Sequence, residues 1–133
     1  MGQPTFPDAS VEVINQTLES AHSCFIKFSK KKAGQRADFL RRIADNVEKH
    51  RKTIIEIAEQ ETNLGTERLE GECSRTIDQI RNFAMLAEKE DWREITLEQG
   101  EPNRTPIPKP EMYTANHPSG PGAVTGACNC PLA

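Results

Sequence analysis

Aromatic side chains are scarce: Phe, Trp and Tyr together make up 5% of the 133 residues. An interior must therefore be assembled mainly from aliphatic groups. Basic charge is not in excess either, with 17 Lys and Arg against 20 Asp and Glu and a formal net charge of −3. A protein that grips nucleic acid by neutralising phosphates needs the opposite balance, so no nucleic-acid partner is expected. No apolar run approaches the roughly 20 residues that cross a bilayer, and no membrane partner is expected. Residues 1–10 hold Pro4, Pro7 and Asp8 but no Lys or Arg, unlike the basic and then apolar opening of a secretory signal. The expected compartment is the cytoplasm. Four cysteines, Cys24, Cys73, Cys128 and Cys130, are too few and too scattered for a disulfide scaffold, so they read as reduced thiols.

Proline and glycine are sparse up to residue 91 and crowded after it. Pro102, Pro106, Pro108, Pro110, Pro118, Pro121 and Pro131 follow one another, with Gly100, Gly120, Gly122 and Gly126 among them. Proline removes the donor that a helix interior needs, so the last third reads as strands and loops. Before it, four amphipathic helices are predicted. The first spans residues 10–30, with Val11, Ile14, Leu18, Ala21, Phe25 and Phe28 on one stripe and Asp8 or Ser10 as cap. The second spans 35–50, with Phe39, Leu40, Ile43, Ala44 and Val47 on one face. The third, 52–61, carries Ile54, Ile57 and Ala58, and Asn63-Leu64-Gly65 reads as its stop. The fourth, 66–90, places Leu69, Cys73, Thr76, Ile77, Ile80, Phe83, Ala84 and Ala87 together.

Beyond the helices, Ile95 and Leu97 alternate with polar residues as in a half-buried strand. Residues 112–117 suggest a second strand. Residues 122–127 are small and apolar, the pattern of a strand covered on both faces. Such a strand needs a neighbour and a crossover helix, and the chain has only six further residues, so the sequence reads as cut short. The expected division is 1–91 as a helical segment, 92–119 as a strand with a Pro-rich connection, and 120–133 as a strand entering a loop.

Several motifs bear on chemistry. Gly120, Gly122 and Gly126 suggest a phosphate loop, but their spacing matches neither the dinucleotide fingerprint nor the P-loop, which also needs Lys followed by Ser or Thr. Cys128 and Cys130 flank Asn129, and with His117 and Cys73 they are the only grouping that could hold a soft metal; no spacing ties the four together, so no metal is expected. Lys30-Lys31-Lys32 with Arg36 reads as a solvated helix junction, and His22 and His50 as surface residues. In the fourth helix Gly71 suggests close packing, since it costs about 1 kcal/mol against Ala. Glu72, Arg75, Gln79 and Asn82 share a polar face there. That face reads either as solvated surface or as the wall of a pocket.

Three of these segments together resemble the N-terminal part of the aldehyde dehydrogenase superfamily. Gln35-Arg36-Ala37-Asp38-Phe39-Leu40-Arg41-Arg42-Ile43-Ala44 is similar to that family's second-helix pattern. Glu61-Thr62-Asn63-Leu64 and the run Arg68-Leu69, Gly71-Glu72, Arg75-Thr76, Gln79, Arg81 and Phe83-Ala84 resemble the branch that oxidises 2-oxoglutarate semialdehyde with NADP or NAD. Gly120-Pro121, Ala123-Val124, Gly126-Ala127, Asn129 and Pro131-Leu132-Ala133 resemble the first strand of the cofactor domain and its following loop.

The resemblance implies an α/β fold, of which this chain is the mostly helical beginning: about four helices followed by two or three short strands. It implies that Asn129 donates its side-chain amide to the oxyanion formed when a cysteine thiolate attacks an aldehyde. It also implies that Gly126, Ala127 and Cys128 lie by the nicotinamide ribose of NADP or NAD. Arg75 and Gln79 are expected to receive the distal carboxylate of a semialdehyde acid. The longer enzyme is expected to be a homo-oligomer. By the same resemblance the nucleophilic cysteine and the general-base glutamate belong beyond residue 133, and no cysteine here stands in the nucleophile's place. Thr125 and Cys130 replace aromatic residues of the branch, and Gly122 replaces a branched apolar one. The chain alone is therefore expected to be an inactive, marginally stable N-terminal piece. Two other readings stand beside it: a non-catalytic helical interaction module, and a small metal or redox protein using Cys128 and Cys130.

Overall fold

The computed structural model describes residues 7–127 and 129–132, and the chain divides into two compact units. One comprises residues 1–31 with 118–123, the other residues 32–117 with 124–133.

The first unit is built on α1 (Val11–Phe28). Ser10, one of the two caps that the sequence offers, closes its start: its hydroxyl accepts the Val13 N–H at 3.3 Å. The predicted stripe runs along the helix, yet none of the α1 residues is buried. Ala21 and Phe25 are half-buried, and Val11, Ile14, Leu18 and Phe28 are exposed.

The second unit holds the core. Helices α2 (Ala33–Lys49), α3 (Arg51–Thr62) and α4 (Thr66–Lys89) follow in order, and α2 packs chiefly against α4. Helix α2 starts two residues earlier than predicted because Gln35 reaches back, its Oε1 accepting the Lys32 N–H at 3.2 Å. Helix α3 stops where predicted, with Asn63 left-handed at φ 53° and its N–H bonded to the Glu59 carbonyl. A short 3₁₀ turn, Asp91–Arg93, follows α4.

Strands β1 (Thr96–Glu98) and β2 (Met112–Thr114) then pair antiparallel, Leu97 opposite Tyr113. The Pro-rich stretch between them folds back on itself through a Glu101–Lys109 bridge. Gly100 permits that approach: a Cβ there would come within 2.9 Å of the Glu111 backbone nitrogen. Asn116 ties the end of the hairpin to the 3₁₀ turn, its N–H donating to the Arg93 carbonyl at 2.8 Å.

The core is small and aliphatic, as the scarcity of aromatics requires. Ala44, Ile55, Ala58, Leu69, Cys73 and Ile77 form it, with Val47, Leu64, Ile80 and Leu132 packed at its edge. Ala37 and Ala84 are fully buried as well. Three predicted core residues are exposed instead: Phe39, Ile57 and Phe83. Ala37 and Ile55 are buried although the sequence reading passed over them. Close contact between α2 and α4 favours alanines at the seam, and bulky neighbours are turned outward.

Two further expectations are corrected. Residues 122–127 form no strand, and all of those described are exposed, Val124 by 94%. A strand exists only through a pairing partner, and β1 and β2 pair with each other. Gly71 is exposed in mid-α4, and a Cβ there would meet nothing within 4 Å among the described atoms, so it serves no close approach. Gly71→Ala is accordingly expected to stabilise the chain by about 1 kcal/mol, because the glycine now costs backbone entropy without return. The urea midpoint measures this; a midpoint that falls would mean that the position is sterically closed.

Candidate functional site

The first turns of α4 meet residues 129–132. Arg68 donates through Nε to Glu72 Oε1 at 3.1 Å, one helical turn ahead. A terminal nitrogen of the same guanidinium donates to the backbone carbonyl of Asn129. Two turns further along, Thr76 Oγ1 donates to the backbone carbonyl of Leu132. A helical threonine commonly bonds its own backbone one turn back; here the hydroxyl is turned to another segment. The Cys130 N–H closes a turn onto the Ala127 carbonyl at 3.1 Å. Leu132 follows and packs against the core cluster. Residues 127 and 129–132 are thus held by a turn, two side-chain anchors and an apolar plug.

Asn129 lies within this turn. It is exposed, its carbonyl is engaged by Arg68, and its side-chain amide has no hydrogen-bond partner among the described residues. A fixed backbone with an uncommitted amide is the arrangement an oxyanion donor requires. Gly126 and Ala127 precede it, both exposed, and a Cβ at Gly126 would meet nothing within 4 Å among the described atoms. Cys128 lies outside the described residues.

Arg75 and Gln79 occupy one exposed side of α4, a single turn apart. Arg75 lies between Arg68 and Thr76 in sequence, on the helix that carries both anchors. Arg68 and Arg81 are paired, with Glu72 and Asp45 respectively, whereas Arg75 has no ion-pair partner among the described residues. Its guanidinium is available to an anion. Glu72 departs from the expected solvated face: it is 9% exposed, and its Oε2 has no hydrogen-bond partner among the described residues.

A second arginine stabilises the scaffold. Arg51 forks onto both oxygens of Glu48, at 3.1 and 2.8 Å, and its remaining nitrogen reaches Glu70 Oε2 at 3.1 Å and Ser74 Oγ at 2.9 Å. The α2–α3 junction is thereby fastened to the first turns of α4. The hydrogen bond from Arg51 holds the Glu48 carboxyl below the usual carboxylate range.

Among the described residues no thiol stands out as a nucleophile. Cys24 is exposed on α1, Cys130 is half-buried, and Cys73 is buried in the core, where burial pushes its thiol up and keeps it protonated. Among the described residues no three His, Cys, Asp or Glu side chains gather to hold a metal. None of the helices they form is long and apolar enough to cross a membrane.

Sequence reasoning singled out Asn129, Arg75 and Gln79 but gave Arg68 and Thr76 no role. A signal was present in Arg68: a cation in the first turn of a helix opposes the macrodipole, which calls for another reason to place it there.

Residues 3–133 match the profile of the aldehyde dehydrogenase family. The alpha-ketoglutaric semialdehyde dehydrogenase of Acinetobacter baylyi is 37% identical over 134 residues, a match covering 98% of this chain and 26% of that protein. Alpha-ketoglutaric semialdehyde dehydrogenase 2 of Azospirillum brasilense is 33% identical over 130 residues, covering 98% and 25%. The chain spans about a quarter of the length of these curated relatives.

Proposed function

Because the chain belongs to the aldehyde dehydrogenase family, we propose that it supplies the oxyanion-donor turn and a substrate-facing helix to an enzyme that oxidises a small semialdehyde acid. The substrate is of the 2-oxoglutarate semialdehyde type and the product is the corresponding dicarboxylic acid. The single observation that carries the reading is Asn129: backbone held, amide free, exposed in the turn after Gly126.

As a thiolate adds to the aldehyde carbon, the carbonyl oxygen gains negative charge. The Asn129 amide N–H donates to that oxygen, an interaction stronger in the transition state than in the ground state. Arg75, with Gln79 one turn on, receives the distal carboxylate and contributes binding that is the same in the ground and transition states. NAD or NADP, when bound, supplies the hydride acceptor. The open backbone at Gly126 fits such a group, and Gly126, Ala127 and Cys128 are the residues here that would lie against it. The cytoplasm and a homo-oligomeric longer enzyme belong to the same proposal. The names of the two relatives support the substrate class.

The test is a chimera in which this chain replaces the matching quarter of the Acinetobacter baylyi relative. It is expected to oxidise 2-oxoglutarate semialdehyde with reduction of NAD or NADP. In that chimera Arg75→Ala should raise KM for the semialdehyde roughly tenfold with little change in kcat, as loss of uniform carboxylate binding does. For an aldehyde without the carboxylate the substitution should change nothing. Equal effects on both substrates would remove Arg75 from the carboxylate site. A folded chimera without turnover would favour a non-catalytic helical module.

A further inference from the structure

We propose that Arg68 is a positioning residue for Asn129, acting from a bracket that Glu72 and Thr76 complete. The inference rests on the oxyanion role assigned to Asn129 above.

The guanidinium is used at two places. Its Nε is held by Glu72 Oε1, and a terminal nitrogen holds the Asn129 carbonyl. Glu72 is itself almost wholly enclosed, its side chain 10% exposed, so it is a fixed post rather than a solvated partner. Fastened to it, Arg68 presents its free edge in one direction, which a flexible ammonium on a longer tether would not do. Thr76 adds a second point at the Leu132 carbonyl. Eight residues of helix span about 12 Å, so the two anchors tie the carbonyls of residues 129 and 132 to points two turns apart on α4.

Helix stability does not account for this arrangement. Arg68 stands in the first turn of α4, where the macrodipole disfavours a cation. Arg before Glu is also the weaker order for a pair one turn apart. What the arrangement does achieve is to fix the carbonyl of the residue whose side chain is left free. Amide placement within a fraction of an ångström is what an oxyanion donor needs, since small misplacements lower rates steeply.

The experiment uses the 133-residue chain labelled with nitrogen-15. Heteronuclear relaxation is measured at the backbone amides of residues 129, 130 and 132, with helical circular dichroism as the control for folding. Arg68→Gln is expected to loosen residues 129 and 130 while leaving the helical signal unchanged. Thr76→Val, which keeps the volume and removes the donor, is expected to loosen residue 132 most. Arg68→Lys should restore only part of the order at residue 129, because one ammonium does not reproduce the fork. Unchanged relaxation in both Arg68→Gln and Thr76→Val would overturn the proposal.

A kinetic readout in the chimera separates this inference from the reading it rests on. Arg68→Gln should lower kcat roughly tenfold to a hundredfold, with KM for the semialdehyde nearly constant. A rate loss in Asn129→Ala without one in Arg68→Gln would overturn the positioning role alone. A rate loss in neither would overturn the oxyanion reading, and the positioning role with it.

Discussion

Replacing Asn129 with Ala in the chimera is expected to lower kcat for 2-oxoglutarate semialdehyde by about 10²–10³-fold, the usual cost of losing one oxyanion donor. KM should change by less than about threefold, since the amide interacts weakly with a neutral carbonyl and strongly with a developing alkoxide. Folding should be unaffected. Asn129 is exposed and its side chain has no hydrogen-bond partner among the described residues, so its removal falls within the roughly 0.5 kcal/mol typical of such surface changes. Asn129→Asp should be at least as damaging, because an ionised carboxylate donates nothing and repels the alkoxide. Steady-state kinetics with a matched thermal melt decides the matter. A loss in kcat accompanied by a fall in melting temperature would point to structure rather than to chemistry. A kcat within threefold of the parent would remove Asn129 from the oxyanion site.

The number and order of the helices were legible because their signals are local. Ser10 as cap, Asn63 as left-handed stop and a 3.6-residue apolar period each depend on a few neighbouring side chains, and each holds in the structure. Which apolar residue of a stripe faces the core was less legible. In α3 the run Ile54-Ile55-Glu56-Ile57 offers several inward choices, and the structure buries Ile55 rather than Ile57. In α2 the choice fell on Ala37 and left Phe39 half exposed, since a seam of alanines lets α2 approach α4. Such outcomes depend on the partner helix, which periodicity does not contain. The strand expected at 122–127 failed for a related reason: strand propensity is realised only against a pairing edge.

The site divides in the same way. Asn129, Arg75 and Gln79 were marked by a resemblance of residue types in order. The contacts from Arg68 to Asn129 and from Thr76 to Leu132 join positions 61 and 56 residues apart. No local pattern announces them. Backbone carbonyls accept from any donor, so the receiving end carries no sequence signature at all. The buried carboxylate of Glu72 was hidden likewise, because a Glu one turn from an Arg ordinarily reads as a solvated pair.

Leu69→Ala is expected to cost about 3–5 kcal/mol, the range for emptying a fully enclosed leucine site. Leu69 is 0% exposed and sits among Ala44, Ile55, Ala58, Cys73 and Ile77; the two alanines are too small and the two isoleucines too stiff to refill the space. Small domains hold only about 5–15 kcal/mol in all, so the substitution should leave little folded protein at ordinary temperature. Urea titration followed by helical circular dichroism should show a lost or sharply lowered midpoint. Phe83→Ala is the informative contrast. Phe83 belongs to the apolar stripe that the sequence predicts, yet it is 61% exposed, and its truncation should cost within about 0.5 kcal/mol. The two substitutions therefore separate a core located by periodicity from a core located by packing. Equal losses would mean that Phe83 is covered in solution, and a mild Leu69→Ala would mean that the cluster around it is not what holds the second unit together. The effect should also reach the site: Leu132 packs against the same cluster, so a collapsed or fluid core withdraws the apolar plug beneath the turn. Asn129 would then lose order without itself being touched, and relaxation at residues 129–132 should rise in any folded fraction of Leu69→Ala.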